Sequence, residues 1–206
     1  MGNPAADYLQ KKGVKPADFI SFGARRGNHE VMVRGTFSNP RLRNRLTDKK
    51  EGGFTRYIPD GEIMPIYEAA MRYKETQTPL VIIAGAAYGT GSSRDWAAKG
   101  TYLLGVQAVI AESYERIHRT NLVCMGILPL QFPAGIDAQS LALDGTERYT
   151  INSITEIESI KPELEVIITR QDGSTDSFTA IGRIDTPLEL AYFKAGGLMR
   201  KLREDF

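Results

Sequence analysis

The clearest hydrophobic pattern in the chain is the apolar run at residues 80–84, which reads Leu-Val-Ile-Ile-Ala. A continuous apolar run of this length predicts a strand buried on both faces. Gly89 and Gly91 follow it, and residues 92–95 (Ser-Ser-Arg-Asp) precede the apolar residues 96–98. A serine with an acidic residue three positions later resembles a helix-capping box. The pattern therefore predicts a strand, a tight loop and the start of a helix.

The segment that follows continues this alternation of helix and strand. Residues 93–105 are predicted to be a helix because their apolar side chains share one face. Residues 106–111 are a second buried apolar run, residues 114–122 a further helix, and residues 126–130 the start of a third strand. Such an order predicts a parallel α/β unit with right-handed crossovers. Ligands of such sheets bind beyond the carboxyl ends of the strands, where residues 89–94 fall.

The pattern changes in the last third of the chain. Short β-type segments occur at residues 148–151, 165–169 and 176–180. Asp172-Gly173 is a hairpin turn signal between two of them, and Thr186-Pro187 is a helix start with proline at the first position. An antiparallel C-terminal section is therefore predicted. Because no repeat or linker separates it from the parallel unit, residues 1–206 are predicted to form one domain.

The first 79 residues carry weaker signals. A short helix is predicted around residues 5–12, and residues 25–37 are predicted to form a loop, a short strand and a second loop that carries Arg34. A hairpin turn is predicted at residues 57–62, and helical spacing of apolar residues appears at residues 66–73.

Composition narrows the class of protein. The chain has 206 residues, of which 42% are hydrophobic and 25% charged, which suits a globular protein with a real core. No apolar run has transmembrane length and the first residues do not resemble a secretory signal, so a cytoplasmic protein without membrane contact is expected. The single cysteine, Cys124, cannot form an intramolecular disulfide or hold a metal cluster alone, so no metal site is predicted.

Charge is distributed unevenly. Residues 1–60 carry twelve Lys and Arg against six Asp and Glu, whereas the whole chain has a net charge of +1. This asymmetry is compatible with an anionic substrate, an acidic partner, nucleic acid, or simply solvated basic side chains.

The glycine loop allows three interpretations. In the first interpretation, Ser92 merely caps the helix and Arg94 is a solvated surface charge. A nucleotide site is disfavoured, because the loop lacks the third glycine of a dinucleotide fingerprint and has no P-loop lysine. The third interpretation is a carboxylate site, because a helix start offers free N–H groups and Arg94 offers a planar charged fork.

Three blocks of residues carry a family resemblance. They are residues 34–35 (Arg-Gly), 88–100 (Tyr-Gly-Thr-Gly-Ser-Ser-Arg-Asp-Trp-Ala-Ala-Lys-Gly) and 112–122 (Glu-Ser-Tyr-Glu-Arg-Ile-His-Arg-Thr-Asn-Leu). With them the chain resembles the C-terminal swivel domain of the aconitase family, strongly from about residue 7 to 132 and more loosely to the end. Within the family it is similar to the aconitase A branch, and closest to its iron–sulfur 2-methylcitrate dehydratases at residues 39–44, 52–56 and 66–73.

The resemblance implies a fold and a reaction. The fold is a three-layer β/β/α swivelling domain with a parallel sheet core and an antiparallel C-terminal section. The reaction is the reversible loss and addition of water on a tricarboxylic acid, with a [4Fe–4S] cluster that other domains ligate. The resemblance also implies residue roles: Ser92 is the catalytic base, and Ser93, Arg94 and Arg34 bind substrate carboxylates.

Two roles are possible for three residues of the third block. His118, Arg116 and Asn121 either support the residues that touch substrate or are structural residues of their helix, and for His118 the structural role is favoured. Cys124 is interpreted as a small packed residue.

The family's cluster cysteines and other catalytic residues have no counterpart in this chain. It is therefore expected to be one domain of a longer enzyme, without activity when isolated, and to pair with the cluster-bearing domains. Two alternatives stay open. One is the small subunit of an isopropylmalate isomerase, which the insert at residues 28–56 disfavours. The other is an RNA-binding domain of an aconitase-like regulator, which lacks support from any recognised RNA motif.

Overall fold

The computed structural model describes residues 3–48, 50–91 and 94–206, apart from the side chain of Arg94. The chain divides into two compact units. The first comprises Met1–Pro79 and Leu103–Gly105, and the second comprises Leu80–Tyr102 and Val106–Phe206.

Helices dominate the first unit. Its elements are α1 (Pro4–Lys11), α2 (His29–Gly35), β1 (Phe54–Tyr57), β2 (Glu62–Pro65) and α3 (Ile66–Glu75), with single 3₁₀ turns at Pro16–Asp18 and Arg45–Thr47.

Helix α1 confirms the predicted N-terminal helix. The side chain of Asn3 accepts the Ala5 N–H at 3.0 Å, and proline occupies the first helical position. Ala5 and Leu9 are buried one turn apart and pack with Val31 of α2. The two helices therefore share a small apolar core.

Helix α2 contradicts the strand predicted within residues 25–37. The side chain of Asn28 accepts the N–H groups of Glu30 and Val31 at 3.1 and 3.3 Å, which caps a helix. Val31 and Val33 are both buried, and their spacing of two residues imitates a strand. The strand prediction was wrong, because the apolar alternation was given more weight than the helix cap. Arg34 therefore lies in a helix and not in a loop.

The predicted hairpin turn and the helix after it are confirmed. β1 and β2 pair antiparallel, with Tyr57 opposite Glu62 beside the turn. Ala69 and Ala70 form the buried side of α3. The Tyr73 hydroxyl of α3 accepts the Ile58 N–H at 2.9 Å, which fixes the helix on the hairpin.

The second unit is built on one mixed sheet. Its elements are β3 (Leu80–Ala84), α4 (Arg94–Leu103), β4 (Val106–Ala111), α5 (Arg116–Cys124), β5 (Leu128–Gln131), β6 (Arg148–Ile151), β7 (Glu163–Thr169), β8 (Thr175–Gly182), α6 (Pro187–Lys194) and α7 (Leu198–Asp205), with a 3₁₀ turn at Ile154–Glu156.

The strand order of the sheet is β3-β4-β5-β8-β7-β6. β3, β4 and β5 pair in parallel, whereas β5 with β8, β8 with β7 and β7 with β6 pair antiparallel. The α/β class is confirmed, as are the parallel core and the antiparallel C-terminal section.

β3 lies at the edge of the sheet. All five of its residues are half-buried, because β3 is an edge strand with a neighbour on one side only. β4 lies between β3 and β5 and is buried at every residue except Gln107. The side chains of β3 still pack on the core at both faces, Leu80 and Ile82 at one and Val81 and Ile83 at the other. Coverage of both faces is therefore confirmed, with partial burial in β3 and nearly complete burial in β4.

Apolar side chains cover both faces of the sheet. On one face, Val109 of β4 packs with Leu122 of α5 and with Ile127. The other face carries the larger cluster, which includes Ile110, Leu130, Val166, Ile168, Phe178 and Ala180. Full burial of one such aliphatic side chain stabilises a fold by about 1.5–3 kcal/mol. The antiparallel section therefore shares its core with the parallel one.

Candidate functional site

The loop after β3 is held by main-chain contacts to the loop after β4. Tyr88 donates its N–H to the Ser113 carbonyl at 2.9 Å, and its own carbonyl accepts the Glu115 N–H at 2.9 Å. The Ser113 hydroxyl accepts the Ala87 N–H at 2.7 Å. These bonds fix the backbone at the carboxyl ends of two parallel strands, where α/β sheets bind their ligands.

The ring of Tyr88 anchors this loop in the interior. It meets Tyr114 edge to face at 6.1 Å between centroids, and His118 at 5.2 Å. Burial raises the pKa of Tyr88 above its ordinary value, although a hydrogen bond with Thr101 acts in the opposite direction. Tyr88 is therefore a neutral buried hydroxyl that ties the loop to α4.

Gly89 and His118 fit each other closely. Gly89 has a φ of +92°, and a Cβ at this position would lie 2.2, 2.3 and 2.5 Å from the Cδ2, Cγ and Cβ atoms of His118. The His118 side chain is almost fully enclosed, with 2% of the residue exposed. The backbone N–H of His118 donates to the carboxylate of Glu115, which caps α5. His118 therefore occupies the space that every residue other than glycine would need at position 89.

The predicted base and its neighbours come directly after this loop. Ser92 and Ser93 lie outside the described residues, and so does the side chain of Arg94, whose backbone begins α4. Their roles stay predictions.

Arg34 lies in the last turn of α2, between two aromatic rings. Its guanidinium carbon is 4.4 Å from the ring centroid of Tyr8 in α1 and 4.5 Å from that of Tyr67 in α3. Only 16% of the Arg34 side chain is exposed. Contact with two aromatic rings restricts the orientation of the guanidinium.

A carboxylate already contacts Arg34. Its Nη1 donates to the Glu30 carbonyl at 2.8 Å and to the Glu30 carboxylate at 2.5 Å. The hydrogen bond from Arg34 lowers the pKa of Glu30 below its ordinary value, against a smaller opposing effect of burial. His29 lies 3.3 Å from the same carboxylate. The first unit thus contains a cation with the geometry of a carboxylate receptor.

Sequence reasoning did not find the partners of Arg34. Tyr8 and Tyr67 come from α1 and α3, and no local pattern joins them to α2. Glu30 could have been found, because a glutamate four residues before an arginine forms an ion pair on a helix. The prediction of a strand hid this spacing.

The other residues of the third block lie on α5. Arg116 is its first residue and is exposed, whereas Asn121 is half-buried. Their support of the site stays a prediction. Cys124 ends the helix, and burial raises the pKa of its thiol.

Arg119 is a residue that the sequence did not single out. Its side chain is 7% exposed, and its Nη1 donates to the Glu189 carboxylate at 2.7 Å and to the Arg183 carbonyl at 3.0 Å. Asp185 lies 3.6 Å from its Nε. This buried pair joins α5 to the C-terminal α6, about seventy positions away, so no sequence spacing could reveal it.

Burial acts to raise the pKa of Glu189. The hydrogen bonds from Arg119 and from the Asp185 N–H, with the charge of Arg119, outweigh burial and hold that pKa below its ordinary value. Glu189 is therefore an ionised carboxylate in the interior.

The described part of the chain holds neither a cluster of metal-ligand side chains nor a membrane-spanning helix. Within it, no group of three or more His, Cys, Asp or Glu side chains is arranged to hold a metal ion. None of its helices has the length and apolar character needed to span a membrane.

The fold and the loop define an α/β protein with a fixed glycine turn between its first parallel strand and the following helix. The family model described as the aconitase C-terminal domain matches residues 5–135. The chain belongs to this family.

Proteins called aconitate hydratase A are similar over nearly the whole chain. That of Pseudomonas aeruginosa is 60% identical over 199 residues, that of Legionella pneumophila 59% over 198 and that of Thermus thermophilus 54% over 200. Each match covers 96% of this chain and 22% of the relative. The chain thus spans about a fifth of the length of these relatives.

Solved structures also match this chain. A 3-isopropylmalate dehydratase from Methanocaldococcus jannaschii aligns with a TM-score of 0.39 and 23% identity, over 69% of this chain and 79% of that one.

Proposed function

We propose that this chain acts as the C-terminal domain of an iron–sulfur hydro-lyase that adds and removes water reversibly on a tricarboxylic acid. The loop at residues 85–91 carries the proposal, because its backbone is fixed directly ahead of residues 92–94 in a chain of the aconitase family. In the proposal this domain works with the cluster-bearing domains of a longer protein.

Ser92 is the proposed catalytic base, which takes a proton from a substrate carbon. A serine hydroxyl is a weak base in water, so its anion needs nearby donors and a dry environment. The start of α4 supplies the positive end of the helix dipole, which favours an anion nearby. The main-chain bonds of Tyr88 hold the loop at residues 87–88 that precedes this part of the chain.

Arg34, Ser93 and Arg94 are the proposed carboxylate-binding residues. Arginine suits this role, because its planar fork donates two parallel hydrogen bonds to one carboxylate. The contact of the Arg34 guanidinium with the rings of Tyr8 and Tyr67 supports its part, since a restrained guanidinium loses little freedom when it binds.

The iron–sulfur cluster is proposed to be ligated outside this chain. Fe–S clusters are usually held by several cysteine thiolates. This chain has one cysteine, Cys124, and burial raises the pKa of its thiol, which disfavours the thiolate that ligation requires. The residues of this chain do not fit the cluster.

The substrate is proposed to be citrate, with 2-methylcitrate as the alternative that residues 39–44, 52–56 and 66–73 suggested. The relatives reported above are named aconitate hydratase A, which favours citrate. One methyl group changes selectivity by only about 1–3 kcal/mol. The ratio of kcat/KM for the two acids, measured on the full-length enzyme that carries this chain, decides between them.

We expect Ser92→Ala in that full-length enzyme to lower kcat about 10²- to 10⁴-fold and to change KM little, because a general base contributes to the reaction step. Gly91→Ala is the matched control, since no described atom beyond the adjacent residues lies within 4 Å of the added methyl group. Steady-state hydration of cis-aconitate measures both variants. A near-normal kcat of Ser92→Ala would show that Ser92 is not the catalytic base.

We expect the isolated 206-residue chain to fold without turning over citrate or cis-aconitate. Thermal unfolding tests the first part and ultraviolet absorbance of cis-aconitate the second. Turnover by the pure chain, with no other protein or cluster added, would contradict the proposal that this domain needs the cluster-bearing domains for activity.

A further inference from the structure

The guanidinium of Arg34 lies against two aromatic rings, and its N–H groups donate hydrogen bonds in its own plane. Its central carbon is 4.4 Å from the ring centroid of Tyr8 and 4.5 Å from that of Tyr67. Because these rings come from α1 and α3, the packing of three helices holds the guanidinium in place.

Glu30 occupies one part of that plane. Both of its contacts use Nη1, through the backbone carbonyl and through the side-chain carboxylate. Nη2 and Nε of Arg34 donate to none of the described residues. The arginine therefore holds an internal carboxylate at one nitrogen, while its other donors stay available for an external one.

We propose that Glu30 is an internal competitor, whose carboxylate holds Arg34 until a substrate carboxylate displaces it. This inference rests on the proposed function, because it takes Arg34 to be a carboxylate receptor. It adds a regulatory element to that site: Glu30 sets how tightly the substrate is bound.

The surroundings of Glu30 suit such an exchange. Its side chain is 43% exposed, so the displaced carboxylate returns to water without burying a charge. The bond from Arg34 to the Glu30 carbonyl belongs to the backbone, and it stays when the carboxylate leaves. The lowered pKa keeps Glu30 ionised near neutral pH, in the form that competes.

The test compares citrate binding by the intact chain and by its Glu30→Gln variant at fixed ionic strength. Glutamine keeps the length of the side chain and removes the charge. Exposed ion pairs are weak, so Glu30→Gln should bind citrate about two- to fivefold more tightly. Glu51→Gln is the matched control, because it removes the same charge from the Arg43–Glu51 pair in the same unit.

Two readouts separate the possible outcomes. NMR signals of the Arg34 guanidinium should show the Glu30 contact in the free wild-type chain and its loss as citrate is added. Calorimetry gives the affinities, and Arg34→Lys should weaken binding in both backgrounds. Tighter binding by Glu30→Gln and not by Glu51→Gln supports the inference.

Other outcomes overturn it at different levels. If the wild-type chain binds citrate through Arg34 and Glu30→Gln binds no more tightly, the competitor role is wrong and the proposed function stands. If Arg34→Lys leaves citrate binding unchanged, both the receptor role of Arg34 and this inference fail. Thermal unfolding of each variant verifies that the comparison is made between folded chains.

Discussion

Gly89→Ala is expected to lower the free energy of unfolding by about 2–4 kcal/mol, and to displace the loop that leads to Ser92. Two causes combine. The new methyl group would lie 2.2–2.5 Å from three atoms of His118, and overpacking of a filled interior costs about 1–3 kcal/mol. The φ of +92° adds about 1 kcal/mol for any residue with a Cβ. Rotation of the His118 ring cannot relieve the clash, because its own Cβ takes part.

Chemical denaturation of the chain measures this effect. Gly91→Ala is the control within the same loop and should stay within about 0.5 kcal/mol of wild type. In the double variant Gly89→Ala/His118→Ala the steric part should disappear, so the two substitutions should couple by about 1–2 kcal/mol. Additive effects would mean that His118 does not define the space at position 89.

Arg119→Met should destabilise the chain by about 3–5 kcal/mol at neutral pH. The substitution keeps much of the side-chain volume but leaves the Glu189 carboxylate buried without its cation, and breaking one partner of a buried pair costs this amount. It also removes the donor to the Arg183 carbonyl. Equilibrium denaturation measures the loss.

Arg116→Met is the matched control on the same helix. Arg116 is exposed three positions before Arg119, so its loss should change the free energy of unfolding by no more than about 0.5 kcal/mol. Similar losses from both substitutions would show that the Arg119–Glu189 pair contributes nothing specific.

The decrease in the free energy of unfolding caused by Arg119→Met should also depend on pH. In the wild-type chain the pKa of Glu189 is lowered, so its stabilising contribution is present above the pKa of an unfolded glutamate. That contribution is lost as pH falls through the lowered pKa. In the variant, only the hydrogen bonds from the Asp185 N–H and the Thr120 hydroxyl still oppose burial, so the pKa of Glu189 is higher than in the wild-type chain and protonation removes the buried charge. The difference from wild type should therefore shrink as the pH falls, and a constant difference would contradict this account.

Local chemistry explains why most of the second unit was predictable. The turn at Asp172-Gly173, the Thr186-Pro187 helix start and the apolar run of β4 each act over a few residues, and each appears where it was expected. Helix α2 was missed although its cap is just as local. The buried pair Val31 and Val33 suggested a strand more strongly than Asn28 suggested a helix.

Only part of the candidate site could be predicted from the sequence. Residues 88–94 could be proposed because their chemistry is contiguous, and Arg34 because it matches a family motif; their roles stay predictions. The rings around Arg34 and the buried partner of Arg119 could not be recognised, because helices distant in sequence supply them.

The sequence by itself determined the family, the alternation of strand and helix around the glycine loop, and the residues expected to act on a carboxylate. These follow from spacing, turn chemistry and motifs, which operate over neighbouring residues. Only the tertiary structure decided that β3 is an edge strand, that His118 occupies the space above Gly89, and that Glu30 holds Arg34. Strand order, close packing and the choice of ion-pair partner depend on which segments meet in space, and a linear pattern does not contain that information.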